Sequence, residues 1–108
     1  ARVAELRAEG RPVFVNYTAA WCVSCQVNDK VALSTRAVAQ AFARHKVAYL
    51  KADWTKRDAT IAAELASHGR AGVPLYLVYG TNGGDGVILP SILTPDIVVK
   101  AVEAADRS

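Results

Sequence analysis

The chain has 108 residues, 52% hydrophobic and 21% charged, with a formal net charge of +3. That length suits one domain able to bury roughly two-thirds of its unfolded surface, and that composition excludes a disordered chain. No apolar run approaches the roughly 18 residues of a membrane span, no signal segment opens the chain, and the scattered Lys and Arg residues form no patch suited to nucleic acid.

Val3 and Leu6 stand at helical spacing before Gly10, so Ala1–Glu9 predicts a short first helix. Val13 to Thr18 is a compact β-rich run, the mark of a buried strand. From Cys22 to about Arg44, the apolar positions Val27, Val31, Val38, Ala41 and Phe42 recur at helical spacing, with a kink or break expected at Ser34-Thr35. Val47 to Ala52 reads as a second central strand, and Asp58 to His68 as a helix with Ile61, Ala62 and Leu65 on one face and Gly69 as its stop. Leu75 to Tyr79 is a third strand. A glycine-rich turn over Gly80–Gly86 and a short return over Val87 to Leu89 complete a hairpin. Thr94-Pro95-Asp96 combines an N-cap, a first-turn proline and an acid at the positive helix end, so a last helix follows, with Val98, Ala101, Val102 and Ala105 buried. The order α-β-α-β-α-β-β-α implies an α/β fold: a mixed four- or five-stranded sheet with helices on both faces.

Chemistry concentrates at Trp21-Cys22-Val23-Ser24-Cys25, which holds both cysteines of the chain. At the first turn of a helix, residues i and i+3 share a face, close enough for a short-loop disulfide. The unpaired N–H groups there favour an anionic sulfur at Cys22, and a thiolate is the attacking species in thiol–disulfide exchange. The competing readings are an inert structural disulfide or half a zinc site. Metal would need two further ligands, and His45 and His68 lack finger spacing. We therefore expect no metal and no cofactor beyond the cysteine pair.

Asn16-Tyr17-Thr18-Ala19-Ala20-Trp21-Cys22-Val23-Ser24-Cys25, Lys51-Ala52-Asp53-Trp54-Thr55, Gly72-Val73-Pro74-Leu75-Tyr76 and Leu93-Thr94-Pro95-Asp96 occur in this order. Together they resemble the thioredoxin superfamily along the whole chain, and within it the C-terminal periplasmic domain of DsbD-type interchange proteins, the ScsB-like branch included. The resemblance implies one thioredoxin-like domain over residues 1–108, monomeric by itself. It further implies a periplasmic place within a larger, membrane-embedded protein of the bacterial inner membrane. The start at Ala1 and the lack of methionine add to the expectation of an excised domain. Electrons would pass from a membrane domain to other thiol/disulfide protein domains through transient mixed disulfides. A free-standing thioredoxin-like disulfide reductase and a non-catalytic thioredoxin-fold binding module are the alternatives.

Carried over by position, Cys22 is the attacking thiol and Cys25 the resolving one, which asks for an exposed Cys22 and a sheltered Cys25. Pro74 matches the family's cis-proline opposite the dithiol, and Val73 would offer its backbone to a partner strand. Trp21 would line the docking surface. One departure stands out: many relatives carry a buried acid six residues before the first cysteine, where this chain has Asn16. An amide cannot take a proton from Cys25 or raise its pKa by like-charge repulsion. Asp29, one helical turn beyond Cys25, is the other candidate for tuning.

Overall fold

The computed structural model describes residues 2–81 and 86–107. The chain runs α1 (Arg2–Ala8), β1 (Val13–Thr18), α2 (Val23–Asn28), a π-helical turn (Asp29–Leu33), α3 (Arg36–Arg44), β2 (Ala48–Asp53), α4 (Ala59–Ser67), β3 (Leu75–Tyr79), β4 (Val87–Ile88) and α5 (Pro95–Arg107). The sheet has four strands in the order β2-β1-β3-β4. β1 and β2 are parallel, in register from Val13↔Ala48 to Thr18↔Asp53. β3 runs antiparallel to β1, from Val13↔Tyr79 to Tyr17↔Leu75, and β4 is antiparallel to β3.

That register brings Thr18, Asp53 and Leu75 to one end of the sheet. The segments that follow β1 and β2, and the one that precedes β3, meet there. A single helical crossover after β2 would have made β3 parallel. Instead residues 68–74 carry the chain back past α4 to the end where β1 and β2 finish, so β3 starts beside the cysteines.

β1 is buried at all six positions because both faces are covered. On one face Phe14, Tyr76 and Val78 pack with Val38, Leu93, Val98 and Val102 from the α3 and α5 side. On the other, Val13, Val15, Tyr17, Leu75 and Leu77 pack with Leu6 of α1 and Leu65 of α4. Burying one such large apolar side chain contributes about 1.5–3 kcal/mol. The Tyr17 hydroxyl donates to Glu64 Oε1 at 2.9 Å, tying β1 to α4. Burial and that neighbouring carboxylate push the phenol well above its ordinary value.

Local signals account for the helix ends. Asp58 caps α4 by accepting the Ile61 N–H, and Gly69 beyond it takes φ +74, a left-handed conformation that suits glycine. Thr94 accepts the Ile97 N–H at the start of α5. Thr35 accepts the Val38 N–H at the start of α3. Gly86 lies so close to Tyr79 that a Cβ there would stand 2.9 Å from the ring.

The break expected at Ser34-Thr35 is present, separating α2 and its π turn from α3. Three expectations need correction. The inward face of α2 and the π turn is Cys25, Asn28 and Ala32, at i, i+3 and i+7 spacing, whereas Val27 and Val31 are about half exposed. The second strand starts at Ala48 and extends to Asp53. The return strand is only Val87–Ile88, and both residues are exposed. Residues 82–85 of the glycine-rich turn lie outside the described residues, as do Ala1 and Ser108.

Candidate active site

Cys22 is the N-cap of α2, with extended backbone angles (φ −87°, ψ 106°). Its Sγ accepts the Cys25 N–H at 3.1 Å, so one unpaired donor of the helix start points at the sulfur. Cys22 and Cys25 are joined as a disulfide, with Cα atoms 5.2 Å apart. The Cys22 N–H donates to the Ala19 carbonyl, closing the turn that enters the helix.

Cys22 is 7% exposed and Cys25 3%. The order is the expected one, yet Cys22 is far more covered than exchange chemistry led us to expect. In the disulfide form both cysteines lie against Ala19, and Val73 packs on that cluster. Val23 and Ser24 between them are exposed. The Val73–Pro74 peptide is cis, and Leu75 begins β3 directly after it.

Trp21 is 45% exposed and is held by the segment that follows β2. Its Nε1 donates to the Thr55 carbonyl at 3.0 Å, and the preceding Ala20 N–H donates to Thr55 Oγ1 at 2.8 Å. Thr55 in turn donates its N–H and its hydroxyl to Asp53 Oδ1. Those two bonds to the ionised form hold the Asp53 carboxyl below its ordinary value. Trp54 is buried, with its ring 5.9 Å from that of Trp21 and its Nε1 donating to the Asp58 carbonyl. The Arg57 guanidinium lies 4.5 Å from the Trp21 ring centre and 5.3 Å from that of Trp54.

On β1, Asn16 is 4% exposed. Its Nδ2 donates to the Tyr49 hydroxyl at 2.7 Å, while Oδ1 is buried without a partner. Burial holds the Tyr49 phenol above its ordinary value; the Asn16 hydrogen bond opposes that shift and the Asp29 charge adds to it. Asp29 is exposed and accepts from Ser34 Oγ at 3.4 Å. It lines a depression of about 300 Å³ together with Leu33, Ala39, Phe42 and Tyr49. Asn16 and Asp29 thus both reach Tyr49, whereas Val73 packs on the cysteines and Trp21, the residue before Cys22, is held by Thr55, Trp54 and Arg57.

Sequence reasoning missed Asn28. It is 2% exposed, donates through Nδ2 to the Tyr76 hydroxyl at 2.9 Å and to the Ser91 carbonyl at 2.8 Å, and accepts the Leu93 N–H at 3.0 Å. It pins the helix carrying Cys25 to β3 and to the segment before α5. Its position three residues after Cys25 was the available signal, since that spacing places it on the inward face. Sequence reasoning also missed Arg57.

His45 pairs with Asp106 at 2.6 Å, joining α3 to α5, and His68 follows the last turn of α4. Among the described residues no three His, Cys, Asp or Glu side chains gather as a metal site. Among them, too, no helix is long and apolar enough to cross a membrane.

Residues 1–81 match the thioredoxin-like family. The thiol:disulfide interchange protein DsbD of Campylobacter jejuni (strain RM1221) is 21% identical over 99 residues, which is 92% of this chain and 17% of that protein. The chain therefore spans a small part of the curated relatives it matches. Among solved structures, the oxidised C-terminal domain of Neisseria meningitidis DsbD superposes with a TM-score of 0.76 at 24% identity, covering 94% of this chain and 87% of that one. The reduced form of that domain gives 0.75 at 23% identity, with 94% and 88% covered. A thioredoxin from Thermus thermophilus gives 0.73 at 16% identity, with 94% and 78% covered. These likenesses establish the fold, and the cysteine pair at its helix start is consistent with thiol:disulfide oxidoreductase activity. On the family match across three-quarters of its length, the chain belongs to the thioredoxin-like family.

Proposed function

We propose that this domain relays two electrons between protein partners by dithiol–disulfide exchange, with Cys22 attacking and Cys25 resolving. The observation that carries the reading is the helix-capping disulfide: Cys22 Sγ accepts the Cys25 N–H, and Cys22 is the less buried of the two. A hydrogen bond from the helix start favours the thiolate that exchange requires.

In the reduced protein, the Cys22 thiolate attacks one sulfur of a partner disulfide. A Cys22–partner bond forms, and the partner's other sulfur leaves as a thiolate that takes up a proton. The Cys25 thiolate then attacks Cys22 Sγ, the intramolecular disulfide closes, and the partner's second thiol departs. Two electrons and two protons have moved. The reverse sequence reloads the domain from a reduced donor.

Val73, packed against the cysteines, offers backbone to the incoming partner segment beside Pro74, and Trp21 forms the apolar rim. Asn16 stands where many relatives carry an acid, and its amide is bonded to Tyr49, so an acid at that position is not available to the dithiol; Asp29 is the other candidate for tuning. The likeness to the DsbD C-terminal domain, and the small share of full-length DsbD that the chain covers, support a place as the periplasmic domain of a larger bacterial inner-membrane protein. The donor is then a membrane domain and the acceptors are periplasmic thiol/disulfide proteins.

Insulin disulfide reduction driven by dithiothreitol tests the exchange reading. The wild type accelerates it, and Cys22→Ser and Cys25→Ser do not. A wild-type rate equal to that of the double serine variant leaves the cysteines structural.

A further inference from the structure

We propose that Arg57 is a docking residue that receives a carboxylate from the partner protein, so that this domain selects partners carrying Asp or Glu beside their reactive cysteine. The inference rests on the exchange reading above and supplies the partner's chemistry.

Arg57 is placed for this by its neighbours. Its guanidinium lies on the rings of Trp21 and Trp54, and Trp21 immediately precedes Cys22. A partner that engages Cys22 therefore meets the Trp21 rim and the cation on it together. A cation–π contact of this kind attracts the guanidinium without using up its N–H donors. Among the described residues the Arg57 side chain makes no hydrogen bond or ion pair besides its contacts with the two rings.

The acids closest in sequence are committed elsewhere. Asp53 accepts the Thr55 N–H and hydroxyl, and Asp58 accepts the Ile61 N–H at the start of α4. Neither neutralises Arg57, and a guanidinium with free donors matches a carboxylate in a two-pronged geometry. The backbone adds a separate argument. Arg57 adopts φ +54, a conformation glycine takes without strain and arginine does not. Holding an arginine at such a position points to a use for its side chain. Beside this platform an open cleft of about 570 Å³, lined by Ala20, Asp53, Thr55, Lys56, Asp58 and Ile61, leaves room for the partner's chain but, with two carboxylates and one cation, adds no net positive charge, so the selection rests on Arg57 itself.

The test uses the reduced protein and two synthetic probes. Each is a one-cysteine peptide joined by a disulfide to thiopyridine, with glutamates flanking the cysteine in one and lysines in the other. The Cys22 thiolate attacks the peptide sulfur and thiopyridine leaves as the absorbing thione, taking a proton. Cys25 then displaces the peptide thiol and closes the Cys22–Cys25 disulfide, so the dithiol is oxidised and the probe disulfide reduced. The quantity read is the ratio of the two rates within one variant, in which any general loss of fold or reactivity cancels.

The wild type should favour the acidic probe by roughly 3–10-fold at low salt, the scale of an exposed charge contact at a docking rim, and the preference should shrink as salt rises. Arg57→Gln should bring the ratio to within about twofold of unity, Arg57→Glu should reverse it, and Arg57→Lys should keep part of it. A wild-type ratio near one, or a ratio unchanged in Arg57→Gln while thione is released from both probes, overturns the inference and leaves the exchange reading intact. Release from neither probe overturns both.

Discussion

Asn28→Ala should be among the most damaging single substitutions outside the apolar core. The substitution removes three hydrogen bonds, to the Tyr76 hydroxyl, the Ser91 carbonyl and the Leu93 N–H. Ser91 is exposed, so its carbonyl can turn to water. Tyr76 and Leu93 are each 1% exposed, so their polar groups stay buried and unpaired. At roughly 1–3 kcal/mol for each of these two groups, the loss is about 2–6 kcal/mol. That is a large part of the about 5–15 kcal/mol that holds a domain of this size together. It corresponds to a fall of roughly 10–45 °C in Tm. Urea unfolding of the oxidised protein, followed by circular dichroism, measures it. Tyr76→Phe alone should cost about 0.5–1.5 kcal/mol, because Asn28 Nδ2 keeps the Ser91 carbonyl. The double variant should then lose less than the two singles added, since no hydroxyl is left orphaned. An Asn28→Ala protein within about 0.5 kcal/mol of wild type would refute the reasoning.

Two further outcomes follow from the site's polar groups. Asn16→Asp places a buried ionisable group on β1, so thiolate absorbance of the reduced protein should move to higher pH; an unchanged curve contradicts the reading of Asn16. Asp53 is held below its ordinary value of 3.8, so its contribution is complete above that value and is lost as pH falls through the depressed one. Tryptophan emission, which reports the Trp21 and Trp54 clamp, should therefore hold steady from neutral pH to about 4 and change only below it, and Asp53→Asn should show the altered emission already at neutral pH. A wild-type transition centred above about 5 assigns the clamp to another group.

What could be read from the sequence was what depends on neighbours in the chain. The β1 run, the Thr94 cap, the Gly69 stop and the break at Ser34-Thr35 are set by residues within a turn of one another, and the structure places them where that pattern does. Long-range partnerships were not legible. Asn28 looks like a solvated helix position until Tyr76, Ser91 and Leu93, 48 to 65 residues away, are brought to it. Val27 and Val31 mark an apolar stripe, yet the inner face is Cys25, Asn28 and Ala32, a choice made by packing against Tyr76 and Leu93. The clamp on Trp21 depends on Thr55 and Arg57, supplied across the sheet by the segment after β2. At the dithiol, spacing gave the helix start, whereas the close cover over Cys22 depends on Val73, which reaches the cysteines only once β3 has docked.

The division of labour between the two cysteines is tested most directly by trapping. Reduced Cys25→Ser and Cys22→Ser proteins are each mixed with a peptide disulfide, and the adducts are located by mass spectrometry. Cys25→Ser should accumulate a stable mixed disulfide on Cys22, while Cys22→Ser accumulates little. Equal trapping by the two variants, or trapping chiefly on Cys25, would contradict the account.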